Sequence, residues 1–311
     1  MGMSGAYGPS DRAESVATVH AALAAGVELI DTGDFYGMGH NELLLAEALR
    51  DVPREDYLLS VKFGAQRSPD NAWLGYDASP AATKTALAHS LTRLGVDHID
   101  VYRPARLDPQ VPIEETVGAI GEMVQAGHVR FVGLSEVGAD TMRRAAATHP
   151  ICDLQIEYSL ISRGIEREIL PACEELGIAI TAYGVLSRGL ISGHFDAGRE
   201  LGRGDFRAHA PRFSEQNRAH NLALVEALRE LAEAKGVTVA QLAIAWALAR
   251  GEAIVPLIGA RTRERLEEAL GALAVELSEE DMLALEQAVP PDAARGERYP
   301  EHGMATLDSE R

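Results

Sequence analysis

Short apolar runs rich in β-branched residues alternate along this chain with longer stretches whose apolar positions recur at helical spacing. The short runs are Val27–Thr32, Tyr57–Phe63, His98–Tyr102, Arg130–Leu134, Asp153–Glu157, Ile178–Ala182 and Ala253–Ile258, and each reads as a strand. Between them Asn41–Arg50, Ser79–Leu94, Ile113–Ala126 and Glu166–Leu176 read as helices, and Gly95, Gly127 and Gly177 stand where a left-handed residue would end them. Repeated βα units imply a parallel sheet buried on both faces.

A further helical stretch, Asp11–Ala25, precedes the first strand, and in βα order it should itself follow one. Gly2, Gly5, Gly8 and Pro9 disfavour a strand within Met1–Ser10. Seven strands and one that would precede Met1 make eight, the count of a closed (β/α)8 TIM barrel of the α/β class. The expectation is therefore one barrel domain over residues 1–311, with 290–311 as a C-terminal tail and the first barrel strand missing before Met1. An open parallel sheet is the alternative.

The 311 residues are 46% hydrophobic and 24% charged, as in a globular domain with a sizeable core. A net charge of -18 disfavours nucleic acid and anionic lipid surfaces, which leaves small molecules as the expected partners. The chain has no run of about eighteen apolar residues and no signal-peptide pattern, so the expectation is a cytoplasmic protein with no membrane partner. Cys152 and Cys173 are too distant for a CxxC motif and too few for a disulfide framework, and read as buried thiols. The histidines form neither HxH nor HExxH, which weakens the case for a metal-dependent barrel hydrolase.

In a barrel the chemistry gathers at the C-terminal ends of the strands. Those ends carry Asp31 and, shortly after it, Tyr36, then Lys62, and further on Ser135, Gln155 and Tyr183. A tyrosine hydroxyl is a weak acid at neutral pH unless a cation favours its anion. Lys62 is placed to be that cation and Asp31 to hold it.

These residues mark a resemblance. Gly26-Val27-Glu28-Leu29-Ile30-Asp31-Thr32-Gly33-Asp34-Phe35-Tyr36-Gly37, Gly127-His128-Val129-Arg130-Phe131-Val132-Gly133-Leu134-Ser135 and Val255-Pro256-Leu257-Ile258-Gly259-Ala260-Arg261 resemble the aldo-keto reductases, NADPH-dependent enzymes on a (β/α)8 barrel. The resemblance implies a tetrad of Asp, Tyr, Lys and His, whose first three members fall on Asp31, Tyr36 and Lys62. The histidine slot instead reads Tyr102-Arg103-Pro104-Ala105-Arg106, and Ala105 has no side-chain donor. Arg103 and Arg106, on either side of it, are open to contact with an anionic or oxygen-rich substrate or to a surface ion pair.

For NADPH, the resemblance carries Ser135 and Gln155 to the nicotinamide carboxamide, Tyr183 to the nicotinamide ring and Arg188 to the pyrophosphate. Gly259 would let the backbone approach a phosphate. Arg261 and Arg265, four apart on one helix face, would reach the 2′-phosphate. Ala269 stands where many relatives carry an adenine-contacting asparagine. The long loop Ser187–Phe213 would fold over the cofactor, while its remaining arginines, interleaved with Asp196, Glu200 and Asp205, are expected in solvent. Trp73 and Tyr76 read equally as a substrate wall or as core. The implied function is NADPH-dependent reduction of an aldehyde or ketone with Tyr36 as general acid. The alternative is an NADPH-binding sensor or assembly subunit with marginal turnover.

Overall fold

The structure is a computed structural model, described over residues 2–70, 72–195, 198, 200–202 and 204–310; Asp196, expected among the loop acids, lies outside the described residues. In chain order the elements are α1 (Arg12–Ala24), β1 (Leu29–Gly33), α2 (His40–Ala48), β2 (Leu58–Phe63), β3 (Ala65–Arg67), β4 (Trp73–Tyr76), α3 (Pro80–Leu94), β5 (Ile99–Pro104) and α4 (Ile113–Gln125). There follow β6 (Val129–Ser135), α5 (Ala139–Thr148), β7 (Ile151–Glu157), α6 (Ile169–Leu176), β8 (Ala179–Tyr183), α7 (Glu215–Lys235), α8 (Val239–Ala249), β9 (Ile254–Pro256), α9 (Arg263–Leu270), α10 (Glu279–Ala288) and α11 (Glu301–Met304).

Each of the seven apolar runs overlaps a strand, and the seven pair in parallel in the order β1-β2-β5-β6-β7-β8-β9. Their central strands are buried almost throughout, as strands covered on both faces must be. Local signals set the helix ends as the sequence indicates. The Asp11 side chain caps α1 by accepting from the Glu14 N–H at 2.7 Å, and Gly95 and Gly177 close α3 and α6 with φ of 70° and 66°.

The sheet curls as in an α/β barrel, and among the described residues no strand joins β9 to β1. The outer layer does bridge that gap. Helix α1 packs on α9, and Glu14 accepts from the Arg263 backbone N–H and guanidinium at 2.9 Å each. No single helix among the described residues is long and apolar enough to cross a membrane.

A feature absent from the sequence reading is the antiparallel hairpin β3–β4, which follows β2 directly and stands at the C-terminal end of the barrel. Trp73 and Tyr76 lie on it, their rings edge to face at 4.7 Å.

Candidate active site

Parallel pairing gathers the predicted residues at the C-terminal ends of the strands. Gly33 pairs with Lys62, Lys62 with Arg103, Ser135 with Gln155, and Glu157 with Tyr183. A cavity of about 950 Å³ opens there, lined by Asp31, Tyr36, Lys62, Ser135, Gln155 and Tyr183 among others, and it extends between α1 and the segment after β9.

At its floor the Lys62 ammonium bonds the Asp31 carboxylate, and both side chains are buried. Ser60 Oγ and Gln155 Nε2 donate to the other Asp31 oxygen at 2.7 and 2.8 Å. Burial alone would push the Asp31 carboxyl up, but the charges of Lys62 and Arg103 and these hydrogen bonds outweigh it and hold the group below the ordinary carboxylate range. Burial pulls the Lys62 ammonium down, with Asp31 opposing it and Arg103 and Arg106 adding to it.

Tyr36 corrects the expectation that Lys62 acidifies its phenol. Burial, and then the Asp31 charge, push the phenol well above its ordinary value, and the cation that opposes them is Arg106. Lys62 is bonded to Asp31 and lies over the Tyr36 ring, 5.0 Å from its centroid. A lysine neutralised by its own carboxylate has little net charge to offer the hydroxyl.

Arg103 requires a second correction. It does not line the cavity: it is fully buried inside the barrel, beneath the site, where Nη1 lies 2.9 Å from Asp153 and Nη2 donates to Ser60 Oγ at 3.0 Å. Thr181 completes this interior chain by donating to Asp153 at 2.5 Å. Gly133 makes the room, since a Cβ there would sit 2.6 Å from Asp153 Oδ1 and 3.0 Å from Arg103 Nε. Arg106, the other candidate beside Ala105, does line the cavity, as does Ala105 itself.

The expected cofactor residues all line the cavity, with differing partners. The Ser135 hydroxyl is buried and has no hydrogen-bond partner among the described residues. Tyr183 bonds through its hydroxyl to Glu136 and Tyr299 at 2.7 and 2.9 Å. Arg188 donates to Glu157 at 3.0 Å. Arg261 precedes the Thr262 cap of α9 while Arg265 lies within the helix, so the two do not share a helix face as expected. Arg261 donates to the Tyr7 and Pro9 carbonyls at 3.0 and 3.2 Å, and Arg265 to Glu268 at 2.9 Å. Of the loop arginines expected in solvent, Arg207 and Arg212 are buried, on Asp205 and on Glu157 with Ser162. Trp73, 42% exposed, forms part of the cavity rim.

Two contributions escaped the sequence reading. Glu136, at a left-handed φ of 52°, is gripped by Arg298 at 2.9 and 3.0 Å and by Ser309 at 2.6 Å, which ties the C-terminal segment to the end of β6. Tyr299 from the same segment accepts from Arg106 at 3.2 Å and receives the Arg188 guanidinium over its ring at 4.6 Å. No local pattern near residue 299 points to a partner some 190 residues away.

Comparison with known proteins shows the family. Residues 1–290 match the sequence profile described as Aldo/keto reductase family. Probable aldo-keto reductase 1 of Glycine max is 41% identical over 302 residues, covering 96% of this chain and 86% of that protein. The aldo-keto reductase yakc [NADP(+)] of Schizosaccharomyces pombe is 38% identical over 304 residues, covering 96% and 89%. Among solved structures, a glycerol dehydrogenase from Gluconobacter oxydans superposes with a TM-score of 0.84 at 30% identity, covering 92% of this chain and 88% of that one. An aldo-keto reductase from Klebsiella pneumoniae in complex with NADPH gives a TM-score of 0.72 at 27% identity, covering 93% and 89%. With a family match over most of its length and relatives this similar, the chain belongs to the aldo/keto reductase family.

Proposed function

We propose that this protein is an NADPH-dependent reductase of aldehydes or ketones, with Tyr36 as the proton donor. The observation that carries the reading is the convergence of Tyr36, Lys62 and Asp31 in one cavity, with Lys62 bonded to Asp31. Bound NADPH would supply a hydride to the carbonyl carbon. The chain's own part is to hold the carbonyl oxygen within reach of a hydroxyl and to give that oxygen a proton as it becomes an alkoxide. A raised phenol suits this task, because Tyr36 keeps its proton at neutral pH and an alkoxide is a stronger base than a phenolate.

The residues present fit the cofactor. The unpartnered Ser135 hydroxyl is a buried polar atom that needs a partner, and a nicotinamide carboxamide would provide one. Gln155 spends its Nε2 on Asp31 and keeps a carbonyl oxygen for the same amide. Tyr183 would meet the nicotinamide ring, while Arg188, Gly259, Arg261 and Arg265 would take the phosphates, competing with the carbonyl and carboxylate partners these arginines now hold. Residues 1–311 act as one unit in this reading, since Arg298 and Tyr299 of the C-terminal segment complete the site. The two free thiols support a cytoplasmic location.

Ala105, in the slot of the tetrad histidine, favours a second reading in which NADPH binding serves sensing or assembly. One experiment separates the two: NADPH is titrated by fluorescence, then its oxidation is followed with a reactive aromatic aldehyde for the native protein and Tyr36→Phe. A reductase binds and oxidises NADPH, and Tyr36→Phe loses nearly all turnover while keeping the cofactor. Equal rates for the two proteins would overturn the Tyr36 mechanism, and binding without oxidation would favour the sensor.

A further inference from the structure

Arg106, like Arg261, rests on neutral acceptors at the cavity, unlike other cations there. Lys62 bonds Asp31, Arg188 bonds Glu157 and Arg207 bonds Asp205. Arg106 makes no ion pair with a carboxylate among the described residues. Its Nη1 donates to the Ala105 carbonyl at 2.6 Å and its Nη2 to the Tyr299 hydroxyl at 3.2 Å, both neutral acceptors, and its buried Nε has no partner among the described residues. Glu136, a nearby acid, is already matched to Arg298. A guanidinium does not shed its proton to escape burial, so this positive charge is held at the cavity with no carboxylate in contact, Glu136 acting on it only from a distance.

Its position says what would compensate it. Arg106 follows β5 directly after Ala105, whose N–H donates to the Phe63 carbonyl at 2.8 Å, one residue beyond Lys62. The charge therefore lies at the substrate end of the cavity with Tyr36 and Lys62. Tyr76 and Trp73 of the hairpin and Tyr299 of the C-terminal segment line the same space. The charge to be matched is single, which suits a carboxylate better than a phosphate dianion, and the planar guanidinium presents the donors a carboxylate accepts.

We infer that Arg106 is a substrate-recognition residue and that this enzyme's substrates are carbonyl compounds carrying a carboxylate, bound with the carbonyl at Tyr36 and the carboxylate on Arg106. The inference rests on the reductase reading above. It gives the segment Tyr102–Arg106 a division of labour: Arg103 braces the barrel interior, while Arg106 faces the substrate.

The test compares 4-carboxybenzaldehyde with its neutral methyl ester as substrates for the native protein, Arg106→Lys and Arg106→Met. The native enzyme is expected to favour the carboxylate in kcat/KM by about 10- to 100-fold, the range of a hydrogen bond to a charged group. Arg106→Met should abolish that ratio and Arg106→Lys retain part of it, with the change mainly in KM. No native preference, or an equal fall for both substrates in Arg106→Met, overturns the inference; an equal fall would make Arg106 an electrostatic aid to the carbonyl itself. A second readout is independent of turnover: benzoate, and not benzamide, should raise the melting temperature of the NADPH-loaded native protein and leave Arg106→Met unmoved. If neither aldehyde is reduced, the reductase reading has failed, and the benzoate shift alone decides whether Arg106 holds a carboxylate.

Discussion

Lys62 lies over the ring of Tyr36, 5.0 Å from the centroid, while its ammonium is spent on the Asp31 carboxylate. The phenol is consequently governed by burial and by Asp31, and both push it upward. A group raised in this way stays a proton donor beyond the ordinary tyrosine range. Single-turnover NADPH oxidation is therefore expected to show no loss from Tyr36 ionisation up to about pH 10. A Tyr36-dependent fall centred near about pH 8 would show instead that a cation reaches the hydroxyl in the loaded enzyme.

The buried pair of Asp31 and Lys62 is expected to behave asymmetrically under mutation. Asp31→Asn leaves a buried ammonium without its counter-charge, at a cost of about 3–5 kcal/mol, whereas the double variant Asp31→Asn with Lys62→Met should lose less than the single one. Urea unfolding measures both. The pH dependence has a definite sign: the folded carboxyl is held below its ordinary value, so its stabilisation is complete above about pH 4 and is lost as acid carries the pH through the folded value. Asp31→Asn should flatten that acid limb, and an equal acid sensitivity of the two proteins would count against the pair as its source.

How much of this was legible beforehand follows from which interactions are local. The parallel strands showed themselves because strands buried on both faces leave near-continuous apolar runs, and the helix ends because capping is decided within a few residues. The hairpin of Ala65–Arg67 and Trp73–Tyr76 left no such trace, being three and four residues long with a bulge and an exposed rim. Arg103 and Arg106 could not be told apart either. Which residue of a strand end faces the barrel interior depends on register with Lys62 and Asp153, and that is settled across strands rather than along one. The same reason hides Arg298 and Tyr299, whose partners lie just after β6, on β8 and after β5.

Gly133 illustrates a residue whose role is visible only in three dimensions. Its sequence context reads as a strand approaching Ser135, yet the interior pair of Arg103 and Asp153 occupies the space where its side chain would be. Gly133→Ala should cost about 1–3 kcal/mol through overpacking against a pair that has nowhere to move. Gly118→Ala is the contrast, since nothing lies within 4 Å of its Cβ position in α4, and relief of the helical glycine should stabilise by up to about 1 kcal/mol. Chemical denaturation of the two variants should move in opposite directions, and a neutral Gly133→Ala would mean that the pair can relax.

Asp34, just beyond β1, predicts a pH effect of opposite sign to that of Asp31. Burial, and then the neighbouring Glu42 carboxylate, push its carboxyl up to about 7 against the pull of Arg93, and its Oδ1 is buried without a partner among the described residues. Glu42 itself is committed to Arg93. The folded state thus holds a proton that the unfolded chain releases near about pH 4, so the contribution of Asp34 is fully present below that value and declines as the pH rises through about 7. The slope is of order 1.4 kcal/mol per pH unit at most. Thermal melts between about pH 5 and about pH 8 should show the native protein losing stability with rising pH, in a range where ordinary carboxylates no longer titrate. Asp34→Asn keeps the shape of the protonated acid and should remove most of that slope. If the slope survives the substitution, Asp34 is not its source.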